Sequence, residues 1–192
     1  MTDLILASTS RYRKALLERL GVPFRCLDPR VDEESFKMLG LEPRELAERL
    51  ALAKARRLAE EEPEATIIGC DQLVAFEGQV FGKPGSIANA IEQLSSMAGR
   101  THELITALAV WHEGQALTHT DVTRLSMRPL QRDEIERYVA ADRPIDCAGA
   151  YKLEERGISL FDRIESSDHT AITGLPLIAL TSILRTLGYP IP

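Results

Sequence analysis

The spacing of apolar positions changes along the chain, and each change predicts a switch between strand and helix. The run Leu4-Ile5-Leu6-Ala7 is continuous, as in a strand buried on both faces, and it stops at the hydroxyl-rich turn Ser8-Thr9-Ser10. Ser10 stands as the N-cap of a helix whose Leu16, Leu17 and Leu20 share one side and which Gly21 ends. A second strand is predicted at 24–27, and 31–35 reads as a loop leading to the next helix. From Pro43 to about Glu62, the residues Leu46, Leu50 and Leu58 mark one helix face, and Lys54 falls in the gap of that series.

The next segment, ATIIGCDQLVAF at 65–76, reads as a core strand interrupted at Asp71-Gln72, and the turn Glu77-Gly78-Gln79 folds it into a hairpin with VFGKPGS at 80–86. Ser86 caps a helix carrying Ile87, Ala90, Ile91 and Leu94, with Gly99 as its stop. Two long segments, 102–112 and 115–130, flank Glu113-Gly114 as a hairpin. A helix at 131–141, an irregular stretch rich in Gly and Ala at 143–157, a strand at 158–164 and a final helix within 174–188 complete the pattern, the last with proline in its first turn. Strands alternate with helices in the first half and pair as hairpins in the middle, which predicts an α/β domain with a mixed sheet. Nothing in the chain reads as a linker, so residues 1–192 are expected to form one domain.

Composition narrows the chemistry. With 44% apolar and 27% charged residues the chain has the balance of an ordinary soluble domain. No apolar run reaches the ~18 residues of a membrane span, and the start of the chain lacks a basic region before an apolar core, so a cytoplasmic protein without a membrane partner is expected. A net charge of −6 argues against nonspecific binding of nucleic acid, so an anionic ligand must be met by a local group of cations. Cys26, Cys70 and Cys147 are odd in number and form no CxxC pair, which predicts reduced, mostly buried thiols and neither disulfides nor structural zinc. His102, His112, His119 and His169 have no metal-ligand spacing and are read as strand and surface residues.

Four features carry candidate chemistry. Asp71 interrupts an apolar strand, where a carboxylate must be paired, hydrogen-bonded or bound to metal; a functional group and a turn-capping residue are both open readings. Lys54 on an apolar stripe is either a site residue or a lysine whose stem lies on the core with its ammonium in water. Lys83 in FGKPG does not belong to a P-loop, because the glycine spacing is one residue short and no Ser or Thr follows, but it can still meet a phosphate as a point charge. At the first turn, the amides, the hydroxyls of Ser8, Thr9 and Ser10 and the guanidinium groups of Arg11 and Arg13 suit a polyphosphate; a helix cap followed by a solvated basic face would give the same string. The acidic pair Asp32-Glu33 is a weaker candidate for holding metal or water.

The strings LASTSRYRKALLERLG, VDE, ALAKA, IIGCDQ, GKP, CAGAY and GLPL, in this order, resemble the Maf family of nucleotide pyrophosphatases over essentially the whole chain. The resemblance implies an α/β fold of the Maf and inosine-triphosphatase type, with a mixed, curved sheet flanked by helices and a cleft between two lobes. It implies hydrolysis of a nucleoside triphosphate to a monophosphate and diphosphate with a divalent cation of the Mg²⁺ or Mn²⁺ type, and it allows a homodimer. Position by position, it makes Asp71 the proton acceptor or a metal ligand. Ser8, Arg13, Lys54 and Lys83 match phosphate-facing positions, and Glu33 matches an acidic position that holds metal or water.

Within the family, Arg11-Tyr12-Arg13, CDQ and AYKLEE depart from the SPRR, ADT and AGAYG-plus-glutamine pattern of the branch acting on dTTP and UTP. They are similar to the branch acting on 7-methyl-GTP, whose specificity positions correspond to Tyr12, Gln72 and Glu154. Base chemistry points the same way. The cationic 7-methylguanine can stack on an aromatic ring, and its N1–H and N2–H₂ edge suits a carboxylate, whereas thymine and uracil offer no such double donor. A pyrimidine nucleotide is the rival substrate, and a non-catalytic nucleotide-binding regulator of septum formation is the rival of another class.

Overall fold

In the computed structural model, which describes residues 2–191, strands and helices alternate in the expected order. The elements are β1 (Leu4–Ala7), α1 (Arg11–Glu18), β2 (Arg25–Leu27), α2 (Glu33–Lys37), α3 (Pro43–Ala59), β3 (Thr66–Phe76), β4 (Gln79–Phe81) and α4 (Ile87–Met97). They continue with β5 (Thr101–His112), β6 (Gln115–Met127), α5 (Arg132–Asp142), β7 (Phe161–Glu165), α6 (His169–Ile172) and α7 (Leu177–Thr186). The strands make one mixed sheet in the order β2-β1-β3-β5-β6-β7, with β4 paired to β3. β1 runs parallel to β2 and β3, with Leu6 opposite both Cys26 and Ile68, while β4 and β7 lie antiparallel to β3 and β6. Both tight turns, Glu77-Gly78 and Glu113-Gly114, have positive φ at two successive residues, the conformation whose twist matches that of paired strands.

The chain divides into two compact units: one holds the residues up to Asp71, Thr106–Asp121 and the residues from Asp168 onward; the other holds Gln72–Ile105 and Val122–Ser167. In the first unit, β1 and β3 each bury two faces, as their continuous apolar runs require. Leu4, Leu6, Ile68 and Cys70 join Leu16 and Leu17 of α1, Leu108 and Val110 of β5, and Leu177, Leu180 and Leu184 of α7 in one core. Alternation places Ile67, Gly69 and Asp71 on the other face of β3. α3 lies directly on that face, because a Cβ added at Gly69 would stand 2.2 Å from the Ala51 carbonyl oxygen and 2.8 Å from the Ala55 nitrogen. Only glycine admits so close a helix.

The second unit contains α4, α5, β4 and β7 with the adjoining parts of β3, β5 and β6. α4 packs against α5, burying Ala90, Leu94 and Met97 from one and Ile135, Tyr138 and Val139 from the other. His102, Tyr151 and Phe161 form an aromatic group with ring centroids 5.0 to 5.8 Å apart.

Several expectations change. β3 runs without a break through Asp71 and Gln72, because the carboxylate finds a cation within hydrogen-bonding distance and need not leave the ladder. The expected loop at 31–35 contains α2, capped by Asp32, whose side chain accepts from the Ser35 amide. The strand foreseen from 158 starts at Phe161, since Arg156–Leu160 form a 3₁₀ turn. Pro176 is the N-cap of α7 rather than part of its first turn, and α6 has no apolar period that could have announced it. His102 is buried, and of the three thiols only that of Cys70 is fully so.

Candidate active site

The first unit holds six of the expected residues, Ser8, Tyr12, Arg13, Glu33, Lys54 and Asp71. Lys54 projects from the buried face of α3, four residues from each of Leu50 and Leu58. Its Nζ lies 2.6 Å from Oδ1 of Asp71 on β3 and 2.7 Å from Oε1 of Glu33 in the first turn of α2. Lys54 and Asp71 are each only 7% exposed, whereas Glu33 is exposed. The stripe position of Lys54 is thus explained by its partner: a lysine crossing an apolar face to reach a carboxylate rather than water. Burial pushes the Asp71 carboxyl above its ordinary range; Lys54 and Arg13 pull it back, and Glu33 adds to the rise. The outcome is a carboxylate that holds a proton more tightly than usual while cations surround it.

The turn after β1 is built by its own hydroxyls. Ser8 is buried, and its Oγ accepts from the Ser10 amide at 3.1 Å and from Arg13 Nη1 at 3.5 Å. Ser10 caps α1 by accepting from the Arg13 amide at 3.4 Å, as its position implied. Arg13 also donates through Nε to the Gly174 carbonyl at 3.0 Å. The same oxygen accepts from the Cys70 thiol at 3.0 Å; burial raises that thiol's pKa and keeps the donor protonated. Gly174 therefore fixes Arg13 beside the strand that carries Asp71.

The segment holding Gly174 is tied by buried side chains. Asp168 Oδ1 accepts from the amide of Thr170 and its hydroxyl, and Oδ2 accepts from the Ile178 amide at 2.8 Å. Thr170 Oγ1 in turn accepts from the Leu177 amide, so one buried carboxylate and one hydroxyl satisfy the first turns of α6 and α7. The sequence placed GLPL at the start of the last helix and among the strings of the resemblance; the unread signal was Asp168 two residues before Thr170, an N-cap pattern.

Tyr12 is half-buried on α1, with the Arg11 guanidinium carbon 4.8 Å from its ring centroid and Arg11 Nη2 donating to its hydroxyl at 2.7 Å. Arg11, expected among the cations that suit a polyphosphate, lies against the Tyr12 ring instead. Gln72, Lys83 and Glu154 belong to the second unit. Gln72 is half-buried on β3 and alternates with Asp71; Lys83 is exposed just after β4; Glu154 is exposed in the turn that follows Tyr151. The Lys152 ammonium in that turn, unnoticed in the sequence, is buried and donates to the Asp142 carbonyl at 3.0 Å.

Among the described residues no three His, Cys, Asp or Glu side chains gather in the manner of an all-protein metal cage. Glu33 and Asp71, meeting at one ammonium, fit a different pattern, in which one or two carboxylates hold a Mg²⁺-type ion whose remaining ligands are waters and substrate phosphates.

Residues 3–187 match the family described as Maf-like protein. A protein of Bdellovibrio bacteriovorus named 7-methyl-GTP pyrophosphatase is 53% identical over 95% of this chain and 96% of its own length. Proteins of the same name from Xanthomonas campestris pv. campestris and Aromatoleum aromaticum are each 47% identical over 100% of this chain, and over 100% and 98% of their own lengths. No helix among the described residues is long and apolar enough to cross a membrane.

Proposed function

The chain belongs to the Maf-like protein family, and on that premise we propose that it hydrolyses 7-methyl-GTP to 7-methyl-GMP and diphosphate. The observation that carries the reading is the buried Lys54–Asp71 pair beside the Ser8–Arg13 turn, since it joins a basic carboxylate to phosphate-binding groups. Asp71 takes the proton of a water as its oxygen attacks the α-phosphorus, and the bond to the bridging oxygen breaks to release diphosphate. A carboxyl of raised pKa is the better acceptor for that proton. Lys54 and Arg13, with the Ser8 hydroxyl, offset charge on the nonbridging oxygens, and Lys83 adds a point charge toward the phosphates. A divalent cation held by Asp71 and Glu33 would supply further charge neutralisation on the phosphates.

The base is assigned to Tyr12 by stacking and to Glu154 and Gln72 by hydrogen bonding. The names of the similar proteins support 7-methyl-GTP over a pyrimidine nucleotide. So does the half-buried aromatic ring of Tyr12, a face on which a cationic base can stack. The test is diphosphate release across 7-methyl-GTP, GTP, UTP and dTTP, each with and without chelator. A preference for 7-methyl-GTP that chelator abolishes is expected. A preference for a pyrimidine refutes the use of Tyr12 and Glu154, and binding without turnover refutes the enzymatic reading.

A further inference from the structure

Glu154 is exposed, yet the turn that presents it is tied down at both ends to one buried residue at the end of α5. The Asp142 side chain is 0% exposed; its Oδ2 accepts from the Arg156 amide at 3.0 Å and its Oδ1 from Arg156 Nη1 at 2.8 Å. Its backbone carbonyl accepts from Lys152 Nζ at 3.0 Å. Residues 152 and 156, on either side of Glu154, therefore meet the same anchor. Other contacts close the turn further: the Lys152 carbonyl accepts from the amides of Glu155 and Gly157 at 3.1 and 3.0 Å, and the Tyr138 hydroxyl accepts from the Lys152 amide at 2.9 Å. A Cβ at Gly157 would lie 2.4 Å from the Lys152 carbonyl oxygen, a backbone atom that cannot yield without opening the turn. The Lys152 ammonium, 3.9 Å from carboxylates of both Asp146 and Glu155, is the local countercharge for these two acidic residues.

We infer that Asp142 is a positioning residue for base selection: it sets the turn 152–157 so that Glu154 meets the guanine edge already ordered, without an entropic loss on binding. The inference rests on the proposed role of Glu154 as base reader. Three features argue for more than a local fastening of the fold. The carboxylate is placed without exposure, both of its hydrogen bonds and that of the Asp142 carbonyl go to the one turn, and the residue at the apex is left outside the network. At the C-terminal end of α5 the free backbone groups are carbonyls, so the carboxylate finds no donor in its own helix; both of its oxygens accept from Arg156 of the turn instead.

The experiment is steady-state hydrolysis of 7-methyl-GTP by the wild type, Asp142→Asn, Glu154→Ala and the double variant. D142N keeps the side chain's size but replaces one acceptor oxygen with a donor facing Arg156. KM is expected to rise about tenfold with kcat changed less than twofold, the mark of lost binding energy rather than lost catalysis. In the E154A background D142N should change KM by less than about twofold, since nothing remains for it to position. Arg156→Ala, whose side chain is exposed, carries the same test with the buried carboxylate left in place, and Arg156→Lys should recover part of the loss. If E154A raises KM but the two effects multiply, or D142N lowers kcat instead, the positioning role is wrong and the base reading stands. If E154A leaves KM unchanged, the base reading itself fails.

Discussion

Replacing Lys54 with methionine keeps the stem that packs with Leu50, Ala51 and Leu58 on the buried face of α3 and removes only the ammonium. Asp71, 7% exposed, then keeps Arg13 as a neighbouring cation but loses the partner 2.6 Å away. Breaking a buried pair from one side typically destabilises by about 3–5 kcal/mol, a large part of the total stability of an ordinary domain. The size of the loss must depend on pH in a definite direction. Removing Lys54 takes away the largest influence that lowers the already raised Asp71 carboxyl, so its folded-state pKa climbs further above the unfolded value. Such a group is protonated in both states below about pH 4, where the difference between variant and wild type is smallest; the penalty grows as pH rises through the folded-state value. Urea unfolding at pH 5 and pH 7.5 should therefore show K54M destabilised at both, and more at the higher pH, with Tm at pH 7.5 lowered by roughly 6–20 °C for a chain of this size. K54M combined with Asp71→Asn should regain much of the stability but none of the turnover. A loss below about 1 kcal/mol at pH 7.5, or one that does not vary with pH, refutes the claim that Lys54 exists to hold a buried carboxylate.

Other perturbations test neighbouring parts of the account. Gly69→Ala must push α3 off β3, because its Cβ meets backbone atoms of Ala51 and Ala55; a destabilisation of about 1–3 kcal/mol with a larger proportional loss of diphosphate release is expected, and a fully active variant contradicts the close-approach argument. His102 is 2% exposed, and burial lowers its pKa to about 4, so the unfolded chain takes up a proton first as pH falls. Stability should fall between about pH 6.5 and 4 by up to about 3 kcal/mol from this residue, a drop that His102→Phe removes; parallel wild-type and variant pH profiles in urea melts refute it. Asp168→Ala leaves the amides of Thr170 and Ile178 without their acceptor and should cost about 2–4 kcal/mol, while raising KM through the loosened Gly174 carbonyl that holds Arg13. Tyr12→Ala should raise KM for 7-methyl-GTP by about five- to thirtyfold, as loss of a desolvated cation–π contact implies, and an unchanged KM removes Tyr12 from base selection.

The elements were legible where one physical rule governed them. Continuous apolar runs gave β1 and β3, and Ser10 and Ser86 announced their helices because an N-cap is a local device. Asp71 was found as a misfit in an apolar strand, but the break it implied was wrong: strand reasoning weighed the carboxylate alone, and the cation that lets the ladder continue lies 17 residues earlier on a helix. Lys54 was visible as a misfit too, though only tertiary pairing decides between snorkelling and a buried partner. Gly174 was beyond sequence reasoning of this kind, because its contribution is a backbone carbonyl and its oxygen serves residues 161 and 104 positions away. The anchoring of the Glu154 turn by Asp142 was hidden for the same reason, since an aspartate at a helix end reads as a surface residue until the turn folds over it.

The most direct test of the central claim, that Asp71 activates water for attack at the α-phosphorus, is turnover of 7-methyl-GTP in ¹⁸O-water by the wild type and by Asp71→Asn. The account predicts equimolar diphosphate, the label in 7-methyl-GMP, and a rate for D71N at least about 100-fold lower with the fold intact by urea melt. Label in the diphosphate, release of orthophosphate, or near-wild-type turnover by D71N would contradict it.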